Sequence, residues 1–527
     1  MRLVEDSTLA LSPSDLSAHL ACPHLTTLSL RVVHGELERP FLDSPHRDLI
    51  FRKGNEHEAA YLARLEADGR SIVRIPTIED GDFDPEEARR ITEEAIRAGA
   101  ADVIYQPYLV DGVGARLKPG TDAVPIWRGF ADFLERLRDG TYEPVDTKLA
   151  RSAKPAHVLQ LCFYAEQVAR IQAARVEHVH VENGRGERET FRVAEFESYY
   201  RRVRDRFLAA LEREPDTYGW PCDHCGICDF RRLCWQQRVD DDHLTLVAGM
   251  RRGWAESLEV EGITTLAELG SLDVPAPDGI RAESFETVRH QAELQLRGRT
   301  TGTSIWELLP DEPERGFRLL PEPDEGDVWL DLEGHPFYET ARGLEYLFGY
   351  CYRDASGEVV YEALWGKDRD GERDVFERFV DWLVARRRAY PRLHVYHYAA
   401  YERTALTRLM GEHGTREDEV DGFLRDELLV DLYRIVKQSL RASVDSYSIK
   451  AIEKLYGFER TADVSGGDES IVRFEEWLES GEDSVLEDVE RYNEEDCRST
   501  VALHEWLLSL RPTDVPWREP PEARPPS

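Results

Sequence analysis

The N-terminal part of the chain repeats apolar residues with the period of a helix. Over residues 12–34, leucines recur at helical spacings after a Ser-Pro pair, and an acidic residue lies in the first turn. The same pattern covers residues 52–67 and 155–173. We therefore predict three helices in this region.

Two strand-like segments precede the last of these helices. ADFLERL and TYEPVDTK are separated by Arg-Asp-Gly at 138–140, and a three-residue loop that ends in glycine predicts a β-hairpin. Asp132 and Asp146 lie equally far from the centre of this loop, so they should face each other on one side of the hairpin. Lys148 follows on the same side because strand side chains alternate between faces.

The middle of the chain reads as a connector. Residues 241–310 are mostly helical in pattern, and Gly-Ile-Thr-Thr separates two of the helices. This segment is either a helix-hairpin-helix that contacts DNA backbone or a connector that only packs, and we favour the connector. Residues 311–326 are rich in proline and acids, which predicts a linker.

The C-terminal part alternates strand-like and helical segments. VWLDLEG, YLFGYCY, VVYEALW and LHVYHY are separated by helical stretches, a pattern typical of a mixed α/β sheet. We place this domain at residues 327–511 and expect the apolar-poor tail, 512–527, to be disordered. With the first domain at 1–240, the 527 residues agree with about three domains.

Charge and hydropathy limit the classes of protein. The chain has 103 acidic and 67 basic residues, a formal net charge of −36, so any nucleic-acid contact must be a local basic groove. Apolar runs are far shorter than the ~18 to 20 residues of a membrane span, and the acidic N-terminal segment is unlike a signal peptide. We expect no membrane partner and a cytoplasmic location. The sequence contains no G-x-x-x-x-G-K-[ST] loop, so it does not indicate an ATPase motor.

The predicted hairpin brings two carboxylates and an ammonium group together. Facing like charges destabilise a hairpin unless a cation compensates them, and hard oxygen ligands suit Mg²⁺ or Mn²⁺. Lys148 is then placed to activate water or stabilise charge on a phosphate. The alternative is an exposed hairpin whose charges face solvent.

Neighbouring motifs favour the metal site. In chain order, the residues resemble the RecB branch of the PD-(D/E)xK nucleases: G-x-x-H-E at Gly54, His57 and Glu58, G-x-x-D at Gly129 and Asp132, D-x-K at Asp146 and Lys148, and Q-x-x-x-Y at Gln160 and Tyr164. The resemblance implies metal binding by His57, Asp132 and Asp146 and a catalytic role for Lys148. It also implies DNA-strand positioning by Gln160 and Tyr164, with Glu58 in support.

Four cysteines are crowded within PCDHCGICDFRRLC. Their spacing suits either a four-cysteine zinc site or an iron–sulfur cluster, because both need four thiolates. RecB-like nucleases with an iron–sulfur staple use one cysteine before the nuclease core and C-x2-C-x5-C after it. That resemblance implies a four-iron, four-sulfur cluster, with zinc as the alternative, held by Cys22, Cys225, Cys228 and Cys234. Cys222 is surplus to the pattern.

A second acidic motif begins the C-terminal domain. Asp331 and Glu333 lie on one face of a strand that is otherwise apolar, where buried acids are costly unless they bind a cation. Far downstream, Tyr492 and Asp496 share one face of an amphipathic helix. Together these motifs resemble the DEDD exonucleases of the ribonuclease H-like superfamily, YprB branch, whose carboxylates hold two metal ions. The implied metal ligands here are Asp331, Glu333 and Asp496.

The middle motif of that family is altered. HVYHYAAYERTAL carries Glu402 where aspartate is expected and Tyr398 where asparagine is expected. Glu402 remains a candidate catalytic carboxylate because of its longer arm, with Asp431 as a substitute or supporting acid. Lys450 and Lys454 are available to a nucleic-acid groove, although a solvated helix face is the simpler interpretation.

The whole arrangement resembles RecB-like nucleases fused to a YprB-type domain. It implies an α/β multidomain protein with a restriction-endonuclease-like core, a helical connector and a ribonuclease H-like domain. The implied activity is metal-dependent DNA cleavage, with exonuclease or flap-trimming preference for single strands, in repair or recombination. Two alternatives stay open: a nucleic-acid-binding adaptor with vestigial sites that recruits a separate helicase, and an RNA-processing 3′-to-5′ exonuclease that uses the C-terminal domain.

Overall fold

A computed structural model describes most of the chain in two compact units. The units are Met1–Gln236 with Glu339–Arg342, and Gln237–Tyr338 with Gly343–Ser527. Within the described ranges, no helix has the length and apolar character needed to cross a membrane. The residues described are 1–3, 9–78, 83–111, 125–213, 216–272, 275–339, 342–462 and 466–519.

The first unit combines short strands with longer helices. Its strands are β1 (Arg2–Leu3), β2 (Leu9–Leu11), β3 (Ile72–Arg74), β4 (Val103–Tyr105), β5 (Tyr108–Asp111), β6 (Ile126–Phe130), β7 (Phe133–Arg136), β8 (Tyr142–Thr147), β9 (His178–Glu182) and β10 (Arg188–Arg192). The helices are α1 (Pro13–Ala21), α2 (Pro23–Val33), α3 (Pro45–Ala67), α4 (Pro85–Ala98), α5 (Pro155–Gln172), α6 (Val193–Arg213) and α7 (Arg231–Asp240).

These strands form two sheets. One has the order β1-β2-β6-β5 and the other has the order β10-β9-β8-β7-β4-β3. The second sheet is mixed, because β8 runs parallel to β9 but antiparallel to β7. Apolar side chains of α5 pack into a core with β6 to β9, including Trp127, Leu134 and Val181. The strands that carry the first acidic motif are therefore at the centre of this unit.

The predicted hairpin is confirmed. β7 and β8 are antiparallel with Phe133 opposite Val145, the alignment expected for a loop centred on residue 139. Gly140 adopts a φ of 88°, a left-handed conformation that glycine accepts without a side-chain clash. Asp132 and Asp146 lie immediately beyond this pair, in the positions that bring them face to face.

One predicted helix is two helices in the structure. The segment 12–34 breaks at Cys22, which ends α1 and precedes α2. Pro23 explains the break, because proline disfavours helical backbone at the residue before it. At the start of α1, Ser12 and Asp15 form a capping box. The helix predicted at 52–67 begins earlier, at Pro45, where Ser44 caps it.

The second unit contains the remaining strands and α-helices that the structure describes. Its strands are β11 (Trp306–Leu308), β12 (Val328–Glu339), β13 (Arg342–Arg353), β14 (Val359–Trp365), β15 (Val395–His397), β16 (Leu429–Asp431) and β17 (Leu440–Ala442). Its helices are α8 (Arg252–Val260), α9 (Leu266–Ser271), α10 (Ala282–Thr301), α11 (Arg369–Ala389), α12 (Tyr401–His413), α13 (Glu417–Arg425), α14 (Leu432–Ser439), α15 (Ile449–Tyr456), α16 (Gly467–Ser480) and α17 (Ser484–Leu510).

The main sheet of this unit has the order β14-β13-β12-β15-β16. β15 runs parallel to β12 and β16, whereas β14 is antiparallel to β13. The predicted strands at YLFGYCY, VVYEALW and LHVYHY are confirmed as parts of β13, β14 and β15. β12, which carries Asp331 and Glu333, is the central strand of the five.

The connector and linker belong to the second unit. β11 pairs with β17, and Gln291 of α10 donates a 2.8 Å hydrogen bond to the Ala442 carbonyl. In the predicted linker, Phe317 and Leu320 are buried in the same core as Ile435. The linker prediction fails because these few apolar residues find a core that the composition of the segment does not reveal.

The tail predicted to be disordered is packed against the core of the second unit as far as the structure describes it. Val515 is buried, and the backbone N–H of Arg518 donates to the Leu320 carbonyl at 3.0 Å. The tail thus packs at least as far as Arg518, since Val515 completes an apolar cluster. The part of the prediction that concerns residues 520–527 lies outside the described residues.

Candidate active sites

The first site lies where β7 and β8 meet. Asp146 is 1% exposed on β8, and its Oδ2 is 2.6 Å from Nζ of Lys148. Asp132 Oδ2 accepts hydrogen bonds from the backbone N–H of Thr147 at 2.7 Å and from its hydroxyl at 2.9 Å. The alternation of strand side chains thus places two carboxylates and one ammonium group in one place.

The buried carboxylate of Asp146 has few hydrogen-bond donors around it. Neither of its oxygens accepts a well-oriented hydrogen bond from the described residues, and the Lys148 ion pair is its one close cationic contact there. Burial, followed by repulsion from Asp132, raises the pKa of Asp146 well above its usual range. A divalent cation would relieve both effects, so these two carboxylates fit a hard metal ion.

Lys148 keeps its charge in this setting. Burial alone lowers the pKa of its ammonium group, but the carboxylates of Asp146 and Asp132 outweigh burial and raise the pKa above the usual value. The side chain is 26% exposed, so its charge can reach a substrate phosphate. It is therefore a permanent positive charge beside the candidate metal site.

Helix α3 contributes two residues with different environments. Glu58 Oε1 accepts a 3.0 Å hydrogen bond from Nε2 of Gln106, and burial followed by Asp132 raises the pKa of Glu58. His57 is buried, with Nε2 3.2 Å from the backbone carbonyl of Glu182. Among the described residues, no group of three ligand atoms within 4.8 Å includes His57. Gln106 has no place in the motifs, and its contact spans 48 residues, so the sequence does not reveal it.

The Q-x-x-x-Y motif supports the strand that leads to Asp132. The hydroxyl of Tyr164 donates a 2.6 Å hydrogen bond to the Phe130 carbonyl on β6. A Cβ on Gly129 would lie 3.3 Å from this hydroxyl, closer than side chains usually approach, which explains the glycine. Gln160, one turn before Tyr164, also hydrogen-bonds that hydroxyl. The geometry gives Tyr164 a contact within the protein.

Four cysteine thiols of the first unit influence one another. Sγ of Cys222 is 3.9 Å from Sγ of Cys225. Burial first, then Cys225 and Cys22, raises the pKa of Cys222 to about 11, and burial followed by the same two thiols raises that of Cys228. Cys222, surplus in the sequence pattern, therefore lies within the cluster. Cys22 reaches it from the break between α1 and α2.

Cys234, the fourth predicted ligand, lies next to Gly219. A Cβ on Gly219 would lie 3.0 Å from Sγ of Cys234, so the glycine leaves room for this thiol. Within the described ranges, no three cysteine thiols lie within 4.8 Å of one another. A four-iron cluster spans more space than a single ion, so its thiolates need not meet at that distance. The crowded thiols fit a thiophilic metal centre, the kind of centre that the C-x2-C-x5-C resemblance implies.

The second site is an acidic triad. Ligand oxygens of Asp331, Glu333 and Asp496 all lie within 4.8 Å of one another, the one such group found in the described part of the chain. β12 supplies the first two from one face, and α17 supplies the third. An arrangement of three carboxylates around one point fits a divalent cation.

The triad is electrostatically strained without a cation. Burial is the largest cause, and repulsion from Asp496 the next, of a raised pKa at both Asp331 and Glu333; for Glu333 the value is about 8. Burial also raises the pKa of Asp496, although Arg460 opposes this from 2.5 Å. A buried acid with a raised pKa is a frequent property of functional sites.

Two polar residues that the motifs do not include hold the triad. Nδ2 of Asn493 donates a 2.7 Å hydrogen bond to Oδ2 of Asp331, and Oδ1 of Asn493 accepts one from the Tyr361 hydroxyl at 2.8 Å. The Ser470 hydroxyl donates to Oε2 of Glu333 at 2.7 Å. Asn493 follows Tyr492 directly, so its place one residue along the motif helix is the only sequence signal for it.

Tyr492 is bordered by cationic side chains. Nζ of Lys450 donates to its hydroxyl at 3.3 Å and lies 4.7 Å from the centre of its ring. Arg460 approaches the same ring at 5.8 Å. Burial is the main cause of a raised pKa at Tyr492. Lys450 therefore belongs to the site, whereas Lys454 is exposed on α15, as a solvated helix face would be.

The residues of the altered middle motif contact other parts of the second unit. Glu402 is buried at the start of α12, with Oε2 3.3 Å from Nδ1 of His397, and it is not part of the close triad. Its charge still raises the pKa of Asp331. Asp431 caps α14 by accepting hydrogen bonds from the N–H groups of Tyr433 and Arg434. The hydroxyl of Tyr398 donates to the Tyr447 carbonyl at 2.5 Å.

The two sites lie in segments that match models of known protein families. Residues 42–235 match the family model of the PD-(D/E)XK nuclease superfamily, and residues 328–508 match that of the RNase_H superfamily. No curated protein and no solved structure matches the chain. Both matched models describe nuclease superfamilies, which supports phosphodiester hydrolysis. The chain therefore combines a segment that matches the PD-(D/E)XK nuclease superfamily with a second segment that matches the RNase_H superfamily.

Proposed function

We propose that the protein is a metal-dependent DNA nuclease that trims single strands or flaps, as an exonuclease, in DNA repair or recombination. The observation that carries this proposal is the buried Asp146 carboxylate, which faces Asp132 and Lys148 and lacks well-oriented hydrogen-bond donors. That arrangement lies within the segment that matches a nuclease superfamily. We expect the protein to act in the cytoplasm, with a separate helicase as a partner.

The residues of the first site have distinct roles in this proposal. Asp132 and Asp146 hold Mg²⁺ or Mn²⁺, with His57 as a further ligand. When bound, the metal polarises the scissile phosphate and lowers the pKa of the attacking water. Lys148 stabilises the negative charge that develops on the phosphate. Glu58 supports the site, and Gln160 and Tyr164 position the DNA strand, Tyr164 indirectly through its hydrogen bond to the Phe130 carbonyl.

The acidic triad is proposed as a second hydrolytic centre. Asp331, Glu333 and Asp496 hold its metal, Tyr492 orients the attacking water, and Glu402 is a further catalytic carboxylate. The close approach of three ligand oxygens favours this role. Ribonuclease H-like domains act on either sugar, so RNA is the alternative substrate for this centre.

The cysteine cluster is proposed to hold a four-iron, four-sulfur cluster. Cys22, Cys225, Cys228 and Cys234 are its ligands, and the cluster closes a long loop of the nuclease domain. Iron and acid-labile sulfide, measured on anaerobically purified protein, should be present in equal amounts of about four per chain. Stoichiometric zinc without iron would instead identify a zinc site.

The decisive experiment compares two active-site variants. Wild type, Lys148→Ala and Asp331→Ala are incubated with 5′- and 3′-labelled single-stranded DNA and with matched RNA, in Mg²⁺, Mn²⁺ or EDTA. Lys437→Ala, which removes the same charge from α14 of the second unit, is the control for Lys148→Ala. We expect metal-dependent DNA cleavage that Lys148→Ala removes for the most part, whereas Asp331→Ala removes only the smaller contribution of the triad and Lys437→Ala removes none.

Other outcomes identify the alternatives. Loss of cleavage only in Asp331→Ala would assign the chemistry to the triad, and cleavage confined to RNA would indicate RNA processing. If wild type cuts neither substrate but binds DNA in EDTA, the protein is an adaptor for another enzyme. That last result would contradict the proposed nuclease activity.

A further inference from the structure

Gln106 has an unusual backbone conformation beside the first site. Its φ is 52°, in the left-handed region that residues with a Cβ seldom adopt. The next residue is Pro107, which restricts the preceding residue towards extended backbone. Local preference therefore opposes the observed conformation, and tertiary contacts must maintain it. Backbone strain of this kind concentrates at functional sites.

Gln106 lies where the chain passes from the six-stranded sheet to the four-stranded sheet. β4 and β7 pair in the six-stranded sheet, whereas β5 and β6, which adjoin them in the chain, pair in the four-stranded sheet. Gln106 and Pro107 form one bend between the sheets, and Ala131 and Asp132 form the other. The backbone N–H of Gln106 donates to the Asp132 carbonyl at 2.8 Å, and that of Ala131 donates to the Pro107 carbonyl at 3.2 Å. The two bends are thus joined by two backbone hydrogen bonds, one donated from each bend.

The side chain of Gln106 contacts a second acid of the site. Its Nε2 donates a 3.0 Å hydrogen bond to Oε1 of Glu58, a carboxylate that the Tyr105 side chain also approaches. One residue therefore fixes the main chain of Asp132 and the carboxylate of Glu58. Both contacts start from the residue whose backbone is left-handed.

We propose that Gln106 is a positioning residue of the first metal site. Its left-handed backbone sets the bend that delivers Asp132, and its amide holds Glu58 so that both acids face Asp146 and Lys148. The inference rests on the proposed metal-dependent nuclease activity of that site. It adds a residue outside the nuclease motifs to the set that determines affinity for a divalent cation.

The test separates positioning from folding. Gln106→Gly accepts a left-handed backbone more readily than glutamine and removes the amide, so the melting temperature should stay the same or rise. The Mn²⁺ concentration for half-maximal DNA cleavage should rise about tenfold, as for other residues that orient metal ligands. Gln106→Asn, which keeps an amide and tolerates this backbone, should recover part of the loss.

Ala173→Gly is the matched control. Ala173 also has a φ of 52° but ends helix α5, outside the active site. Its replacement should leave the Mn²⁺ dependence unchanged. An unchanged Mn²⁺ dependence in Gln106→Gly would overturn the inference, as would a fall in its melting temperature that accounts for the lost activity.

A binding measurement makes the test independent of cleavage. In an Asp331→Asn background, which silences the triad, calorimetry reports Mn²⁺ binding by the first site. A higher Mn²⁺ Kd for Gln106→Gly supports the inference even if the wild type cuts no DNA. Absence of cleavage by the wild type would refute only the proposed nuclease activity. Equal Mn²⁺ Kd values with and without the substitution would refute the inference itself.

Discussion

Glu333 is a buried acid whose protonation should affect stability. Burial raises its pKa to about 8 in the folded protein, against an ordinary value near 4.5. The folded state therefore holds the proton more tightly than the unfolded state does. The resulting stability is complete below about pH 4.5 and is lost as the pH rises towards 8, by at most about 1.4 kcal/mol per pH unit.

The matching experiment uses Glu333→Gln in EDTA. Between about pH 5 and pH 8, the wild type should lose stability relative to the variant, because glutamine does not titrate. Denaturant unfolding at several pH values measures the difference. Excess Mn²⁺ should reverse the trend in wild type, since metal binding requires deprotonated ligands. A difference that stays constant across this pH range would contradict the prediction.

Asn493 should determine how well the triad binds metal. Asn493→Leu removes the amide that donates to Asp331 at 2.7 Å, so we expect the Mn²⁺ Kd of the triad to rise about tenfold. Calorimetry in an Asp146→Asn background isolates the triad. Tyr361→Phe removes only the donor to Asn493 and should have a smaller effect. Equal Kd values for Asn493→Leu and its parent would exclude this role.

At the scale of elements, β13 must pass close to α17. A Cβ on Gly349 would lie 1.5 Å from Oδ1 of Asn493 and 2.9 Å from the Tyr361 hydroxyl, so no side chain fits there. Gly349→Ala should lower the free energy of unfolding by about 1 to 3 kcal/mol, the usual cost of overpacking. It should also weaken Mn²⁺ binding, because Asn493 must move away from Asp331.

Gly422→Ala is the control for Gly349→Ala. Gly422 lies within α13 and has open space at its Cβ position, so alanine should be neutral or slightly stabilising there. Denaturant unfolding of both variants measures the contrast. Equal stabilities for the two variants would show that β13 and α17 can separate without cost.

The elements that the sequence predicts well are those with local signals. The hairpin follows from a three-residue loop, and the strands β13 to β15 follow from apolar runs of the right length. The motifs indicate Asp132, Asp146 and the triad because carboxylates are unexpected on apolar strands. By contrast, Gln106 and Asn493 act on acids 48 and 162 residues away, and their partners are defined only by the folded chain. The burial of Val515 depends on tertiary packing in the same way.

At the scale of the whole molecule, the net charge of −36 should give salt two opposite effects. Added salt screens the repulsion among acids and should raise the melting temperature. The same salt should weaken single-stranded DNA binding in EDTA, because contacts to phosphate release counterions. Melting curves and binding isotherms at low and high NaCl test both signs. Salt-independent binding would argue against a basic groove.

The tight hairpin between β7 and β8 also constrains how this protein can evolve. Its three-residue loop is remote from the chemistry, and its side chains are exposed. What the site requires is the pairing of β7 with β8, because a shift of that pairing by one residue would turn Asp146 and Lys148 to the opposite face of the sheet. Relatives that retain the first site should therefore tolerate substitutions at 138, and any change in the length of their loop should leave the pairing of the two strands as it is.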